Sequence, residues 1–151
     1  MSGNAGFDCA VLAAVPEAVR ARQSLFQATG GTHAAALFDA RGKLLAVRED
    51  VGRHNALDKV IGYALLAGLE MAELGVFLSG RASLELIVKA ARARIPVVLA
   101  VSAPTEAAIK LAEKTEITLA GFAREKSFTI YAGANRIDCS ACGTTLINTP
   151  L

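Results

Sequence analysis

The apolar positions of this chain follow two spacings, one typical of helices and one typical of buried strands. The clearest helical stripe recurs every three or four residues and consists of Leu57, Val60, Ile61, Ala64, Leu65 and Gly68. Two further stripes predict helices, at Leu84, Ile87, Val88 and Ala91 and at Ala108, Leu111 and Ala112. Unbroken apolar runs at Gly75–Leu78 and Pro96–Val101 predict strands that are covered on both faces.

Turn-forming residues complete the predicted element order. A helix is predicted over Pro16–Ala28, with Pro16 at its first position and Gly30 just past its end. The other predicted strands are a hairpin, Thr32–Phe38 and Lys43–Arg48, and a closing pair, Ile117–Phe122 and Ser127–Tyr131. This order predicts an α/β fold in three layers, a mixed sheet with helices on both faces.

Composition narrows the classes of function. The 151 residues fit one domain, and 16 basic against 14 acidic residues leave a net charge of only +2, which argues against a nucleic-acid groove. No apolar run approaches the roughly 20 residues that span a membrane. The stretch before Arg20 lacks the basic residues of a secretory signal, so a cytoplasmic location is expected. Three cysteines form no disulfide framework.

Three predicted strand-to-helix junctions carry the candidate chemistry. Ligands collect where parallel strands end, and helix N-termini favour anions. Arg53 and Arg81 add guanidinium groups that suit phosphate, and Asn55 is predicted as an N-cap. Capping alone explains any one junction, whereas three in succession favour a phosphorylated or nucleotide-bearing ligand. The candidate residues are Asp50, Arg53, His54, Asn55, Ser79, Gly80, Arg81, Ser102, Pro104 and Thr105.

A glycine turn and the two histidines extend the candidate set. The turn Thr29–His33 adds Gly30, Gly31 and His33, although it matches neither a Walker loop nor a dinucleotide fingerprint. Imidazoles can carry protons or donate to phosphate, and a purely structural role is the alternative. The position of His54 beside Arg53 at a helix start favours a functional role for His54.

The same positions bear on metal chemistry, and the cysteines bear on thiol chemistry. The element order resembles that of cytidine deaminases, whose zinc ligands begin two successive helices. Here Gly52–Ala56 lacks a His-x-Glu and Ser79–Ser83 lacks a Pro-Cys-x-x-Cys, so no zinc site is expected. Cys139 and Cys142 form a Cys-x-x-Cys pair, which is a redox pair, half of a zinc site, a persulfide carrier or two incidental thiols.

The ordered set of motifs resembles one known family. The motifs are Thr29–Ala35, Glu49–Lys59, Ser79–Ser83, Ser102–Pro104 and Gly121–Arg124. Across Val11–Ile137 they are similar to the C-terminal domain of the formate dehydrogenase accessory sulfurtransferase (FdhD) family. The resemblance implies a cytidine-deaminase-like fold and a homodimer. It also implies a cofactor-binding domain over residues 1–137 and a C-terminal extension over residues 138–151.

The resemblance further implies a ligand and partners. Sulfur would pass from a cysteine desulfurase to the bis-molybdopterin guanine dinucleotide cofactor (Mo or W) of formate dehydrogenase, with GDP as an analogue of the cofactor. The family's cofactor-contacting segment matches Phe128, Thr129, Ile130, Tyr131, Ala132 and Gly133, where Gly133 replaces the usual histidine.

The cysteines depart from the family pattern. Family members carry a further N-terminal part and a Cys-x-x-Cys loop ahead of the region that begins near Phe7, whereas here Cys9 stands alone. No catalytic residue is therefore assigned, and the chain is expected to bind the cofactor without transferring sulfur by the family route. The alternatives are a persulfide carrier that uses Cys139 or Cys142, and a non-catalytic dimeric interaction module for formate dehydrogenase maturation.

Overall fold

The computed structural model describes residues 6–140 and 147–148. Its strands are β1 (Phe7–Asp8), β2 (His33–Phe38), β3 (Leu44–Asp50), β4 (Gly75–Leu78), β5 (Val97–Ala100), β6 (Thr118–Arg124), β7 (Ser127–Ala132), β8 (Ile137–Asp138) and β9 (Ile147–Asn148). Its α-helices are α1 (Cys9–Arg20), α2 (Ser24–Thr29), α3 (Arg53–Ala67), α4 (Leu84–Arg92) and α5 (Glu106–Lys114). Two short 3-10 helices cover Met71–Glu73 and Ala134–Arg136.

Seven strands form one mixed sheet in the order β3-β2-β4-β5-β6-β7-β9, and β1 pairs with β8 separately. Strands β4, β5 and β6 are parallel, while β2 runs antiparallel to both β3 and β4. The start of β2 therefore lies at the same edge as the ends of β3, β4 and β5. In the register of this hairpin, His33 lies opposite Asp50.

The sheet is covered on both faces, which confirms the predicted three layers. On one face, alternate strand residues such as Leu37, Val76 and Val98 pack against α3, α4 and α5. On the other face, the intervening residues, including Phe38 and Phe77, pack against α1. The central strands β4 and β5 are buried at every position, as their unbroken apolar runs predict.

The prediction that a helix begins at Pro16 is wrong. Helix α1 begins at Cys9, and the carboxylate of Asp8 accepts a hydrogen bond from Ala10 N at 2.8 Å. Pro16 lies inside α1, although proline is unfavourable there because it lacks an N–H group. The helix persists because its apolar stripe buries Leu12, Val15 and Val19 against the sheet. The chain then breaks before α2, whose end at the left-handed Gly30 was predicted.

The predicted helical stripes have the correct spacing, but some of the residues that they include are exposed in the structure. In α3, Leu57, Val60 and Ala64 are buried as predicted, but Leu65 is 67% exposed. In α4, the buried face includes Leu86 in place of the predicted Leu84. An apolar stripe is about 100° wide, so the sequence does not decide whether the residues at its borders are buried. Contact with the sheet determines which of them are buried.

Candidate functional site

The three predicted junctions lie side by side along one edge of the sheet. Arg53 of the first junction contacts the second, because a Cβ placed on Gly80 would lie 3.5 Å from Arg53 Cδ. The second junction meets the third through a parallel bridge between Ala82 and Pro104 and a hydrogen bond from Thr105 N to Ala82 O (3.0 Å). The structure therefore brings these junctions into one continuous row.

In the first junction, Asp50 is fully engaged with its neighbours. Its Oδ2 accepts hydrogen bonds from Gly52 N at 2.9 Å and from Asn55 Nδ2 at 3.2 Å, and its Oδ1 lies 2.8 Å from Lys59 Nζ. Lys59 above all, then Gly52 and Asn55, hold the pKa of the Asp50 carboxyl at about 2, below its usual 3.8. Asp50 thus organises the start of α3.

The prediction that Asn55 caps α3 is wrong. The N-cap is Gly52, and Asn55 lies in the first turn of the helix. The Asp50 carboxylate folds back from the end of β3 and bonds both residues, so the Asn55 amide serves Asp50. The neighbouring Glu49 holds a different element: its carboxylate accepts from Leu25 N and Phe26 N at 2.9 Å and so caps α2.

Like the buried Ser83 Oγ, Arg53 has incomplete bonding in this row. It is half-buried, and its Nε atom is buried with no hydrogen-bond partner among the described residues. A side chain at position 80 would fill the space beside Arg53. A Cβ on Gly80 would lie 3.3 Å from the His33 ring as well as near Arg53. Glycine therefore keeps the space between His33 and Arg53 open.

Two further basic residues belong to the same row. His54 is half-buried and Arg81 is exposed. The pKa of the Glu85 carboxyl is lowered, first by the backbone N–H of Glu85 itself and also by the positive charges of His54 and Arg53. One exposed carboxylate therefore offsets part of the positive charge of the row.

The third junction is close-packed. A Cβ on Gly121 would lie 2.9 Å from Pro104 Cδ, 3.0 Å from Ser102 O and 3.1 Å from Tyr131 Cε2. Burial raises the pKa of the Tyr131 hydroxyl. The Thr105 hydroxyl accepts a hydrogen bond from Ala108 N at 3.1 Å, so it caps α5 as capping alone would predict.

A cavity of about 920 Å³ opens beside this row, on the face of the sheet that α1 covers. Four predicted residues line it: Gly30, Gly31, His33 and Ser79. Ser79 joins the cavity to the hairpin, because its Oγ accepts from Ala34 N at 2.8 Å and lies 3.4 Å from His33 Nδ1.

Sequence reasoning missed most of the other cavity residues. They include Arg20, Gln23, Phe26 and Phe77, together with Arg124 at the end of β6 and Glu125 and Lys126 of the β6–β7 turn. Arg20, Gln23 and Phe26 lie within the predicted helix Pro16–Ala28, but nothing in its spacing showed which part of the sheet this segment packs against. Arg124 alone belongs to a quoted motif, and no local signal linked it to α1.

The predicted C-terminal segment is not brought to the row as a unit. Phe128, Ile130 and Ala132 are buried in the core. Gly133 lies at the opposite edge of the sheet, where a Cβ would meet Thr118 Oγ1 at 2.7 Å. Thr129 pairs with Gly121, and Tyr131 contacts Gly121, so these two alternate residues point toward the third junction.

Cys9 and Cys139 lie apart from the row of junctions. Cys9 is buried at the start of α1, and Cys139 is half-buried against the same core. Cys142 lies outside the described residues. Within the described part of the chain, no group of three His, Cys, Asp or Glu side chains could hold a metal ion.

Comparison with known proteins places this geometry in a family. Residues 2–138 match the model of the FdhD/NarQ family. The chain is 54% identical over 135 residues to the "Sulfur carrier protein FdhD" of Nocardia farcinica, covering 89% of this chain and 48% of that protein. The protein of the same name from Thermoplasma volcanium is 46% identical over 134 residues, with 89% and 48% covered. The chain thus spans about half the length of these relatives.

Solved structures show the same fold. A crystal structure from Desulfotalea psychrophila, described as a formate dehydrogenase accessory protein, superimposes with a TM-score of 0.82 at 28% identity, covering 89% of this chain and 57% of that chain. A variant of the protein NE0047 in complex with 8-azaguanine superimposes with a TM-score of 0.51 at 16% identity, covering 74% and 75%. The cytidine-deaminase-like fold is therefore confirmed. Within the described residues, no helix combines the length and the apolar character that crossing a membrane requires.

Proposed function

Since this chain belongs to the FdhD/NarQ family, we propose that it is the cofactor-binding half of a sulfur carrier that serves formate dehydrogenase maturation. Its ligand would be bis-molybdopterin guanine dinucleotide (Mo or W), for which GDP is the analogue. Its partners would be a cysteine desulfurase and formate dehydrogenase, in the cytoplasm. The relatives named as sulfur carriers and the accessory protein with the same fold support this role.

The unpartnered Nε of Arg53 is the observation that carries the proposal. Leaving a buried donor without a partner costs about 1–3 kcal/mol, and more for a charged group. A phosphate oxygen of the ligand would satisfy this donor, and a guanidinium group suits phosphate geometry. The open space at Gly80 and the adjacent His33 and Ser79 give an anion room beside Arg53.

The residues present fit such a ligand. Arg53, with Arg81 at the next helix start, would hold phosphates, aided by the positive ends of α3 and α4. The adjoining cavity has room for a ring system of the ligand. The bound cofactor would supply the metal to which sulfur is delivered, while the chain's own residues bind and orient it.

Calorimetric titration with GDP tests the proposal. Wild-type protein should bind GDP, and Arg53→Met should weaken binding roughly tenfold or more, because a charge-assisted hydrogen bond contributes about 1.5–3 kcal/mol. The matched control is Arg41→Met, in the exposed β2–β3 turn at the far edge of the sheet. A wild-type protein that binds neither GDP nor the pterin cofactor would contradict the proposal.

A second candidate, a dimeric interaction module for formate dehydrogenase maturation, is favoured by a different surface. On α3, Leu66 is 93% exposed and Leu65 is 67% exposed. Beside them, a groove of about 460 Å³ between α3 and α4 is lined by Ile61, Leu65 and Leu69. Exposed apolar surface of this kind is typical of association sites. The two candidates are compatible, because this surface and the Arg53 row involve different residues.

A further inference from the structure

Helix α2 buries none of its residues, unlike the other α-helices of the described chain. It is six residues long, and an isolated helix shorter than about 12 residues is marginal in water. Its N-cap residue, Gln23, makes no side-chain capping bond. Neither its length nor the burial of side chains explains why α2 keeps its place.

The Glu49 carboxylate supplies the missing cap from the end of β3. Its Oε2 accepts from Leu25 N and its Oε1 from Phe26 N, each at 2.9 Å. Oε1 also accepts from the Thr32 hydroxyl at 3.1 Å. The first N–H groups of a helix lack partners inside the helix, and a negative charge is favourable at this end. The backbone of Glu49 is held in turn, since its carbonyl accepts from Lys59 Nζ at 2.9 Å.

Helix α2 forms part of the wall of the 920 Å³ cavity, which Phe26, Gly30 and Gly31 line. Two contacts at the surface join α2 to α1. The Arg20 guanidinium lies 5.5 Å from the centre of the Phe26 ring, and the Gln27 amide donates to Arg20 O at 3.0 Å. The helix ends at Gly30, whose φ of 68° glycine adopts without strain. Because α2 buries no residue, moving it away from the cavity exposes no core side chain.

We propose that α2 is a hinged wall, a segment that swings away from the cavity to admit and release the ligand, and that Glu49 is the positioning residue that holds it closed. Glu49 acts through the backbone N–H groups of α2 and not on the ligand itself. Its loss should therefore increase the open population without removing a group that binds the ligand. The identity of the ligand rests on the proposed function, whereas the hold on α2 rests on the contacts of Glu49.

Amide hydrogen exchange of the full chain, followed by NMR, tests the hold on α2. Glu49→Gln keeps the size of the side chain, but its NH₂ group cannot accept a hydrogen bond. Exchange at Leu25 and Phe26 should become about tenfold faster, because a charge-assisted hydrogen bond is lost, while the amides of β2 keep their rates. Glu113→Gln is the matched control, since it makes the same change of charge at an exposed position of α5. Unchanged exchange at Leu25 and Phe26 in Glu49→Gln would overturn the inference.

Stopped-flow kinetics with fluorescently labelled GDP test the hinged wall. A wall that must open for passage limits both directions, so Glu49→Gln should raise the association and dissociation rates together, each by roughly tenfold. A residue that only stabilised the folded site would change the dissociation rate alone or slow association. Ser24→Asp, which adds an acidic residue to the first turn of α2, should slow both rates again in the Glu49→Gln background. Rates that stay at wild-type values while exchange in α2 accelerates would show that α2 does not control entry.

Should Glu49→Gln fail to fold, exchange in the wild type decides. The amides of Gln27 and Gly30, which bond to Gln23 O and Phe26 O, should exchange by a local opening of α2 that precedes exchange in β2. Exchange of these amides only on global unfolding would contradict the inference.

The outcomes also separate this inference from the proposed function. A wild-type protein that binds no GDP would contradict the proposed function. Faster exchange in Glu49→Gln would then still support the hold on α2, and unchanged exchange would still overturn it.

Discussion

At the scale of single residues, the two charged side chains of the first junction, Asp50 and Arg53, differ in how completely they are hydrogen-bonded. Asp50 is bonded by Gly52, Asn55 and Lys59, whereas the buried Nε of Arg53 has no partner among the described residues. Asp50 therefore stabilises the folded chain, and Arg53 remains available to a ligand. An anion-binding site needs both kinds of residue: one that fixes the start of the helix, and one that presents an unsatisfied donor to the ligand.

The lowered pKa of Asp50 predicts how stability responds to acid. Because the folded state holds this pKa at about 2, below 3.8, the carboxylate stabilises the fold above pH 3.8 and loses that contribution as the pH falls toward 2. Asp50→Asn should therefore lower the melting temperature at neutral pH, and its difference from the wild type should shrink between about pH 4 and pH 2.

Thermal unfolding measured across this pH range checks the prediction. Asp58→Asn, which breaks the more exposed ion pair with Lys89, is the control and should have a smaller effect at neutral pH. A difference for Asp50→Asn that stays constant down to pH 2 would show that the carboxylate is not held in this way.

At the scale of elements, close backbone approach determines where the third junction sits. Gly121 in β6 lets Pro104 and Ser102 O lie against the strand, with Phe122 N donating to Ser102 O at 3.3 Å. A second long-range contact is the Glu49 carboxylate, which joins the end of β3 to the start of α2 and so fixes one wall of the cavity.

Two glycine-to-alanine changes test the first of these contacts. Gly121→Ala should lower the free energy of unfolding by about 1–3 kcal/mol, because the new methyl group would press on backbone and on Pro104. Gly62→Ala, in α3 where nothing lies within 4 Å, should raise it by about 0.5–1 kcal/mol through helix propensity. Denaturant unfolding of both variants measures the contrast. Equal effects at the two positions would show that the third junction is not close-packed.

At the scale of the whole molecule, binding and association involve different surfaces. The row of junctions and its cavity lie at the edge where β4 and β5 end, while the exposed leucines lie on α3.

If α3 is the dimer surface, Leu66→Lys should convert a dimer into a monomer, because it places a charge in an apolar interface. Analytical ultracentrifugation measures this change. Leu25→Lys, on α2 and 52% exposed, is the control that should remain dimeric. A monomeric wild type would exclude the dimer.

Local patterns in the sequence determined the element order and most of the candidate row. Helical spacing identified α3–α5, because it depends on which neighbours share a face, and unbroken apolar runs and turn residues identified β2–β7. The sequence also predicted that the junctions lie close together, since parallel strands end at one edge of a sheet. The resemblance to the FdhD family rested on the same local motifs and was confirmed by the family match.

Only the tertiary structure decided where helix α1 begins, which residue caps α3 and which residues line the cavity. The contacts that decide these features join segments that are distant in sequence. Packing on the sheet keeps Pro16 inside α1, and Asp50 removes Asn55 from the capping position. The cavity is lined by residues of α1 and of the β6–β7 turn, which are distant in sequence. Spacing along the chain records local periodicity, whereas burial and bonding depend on which distant groups meet.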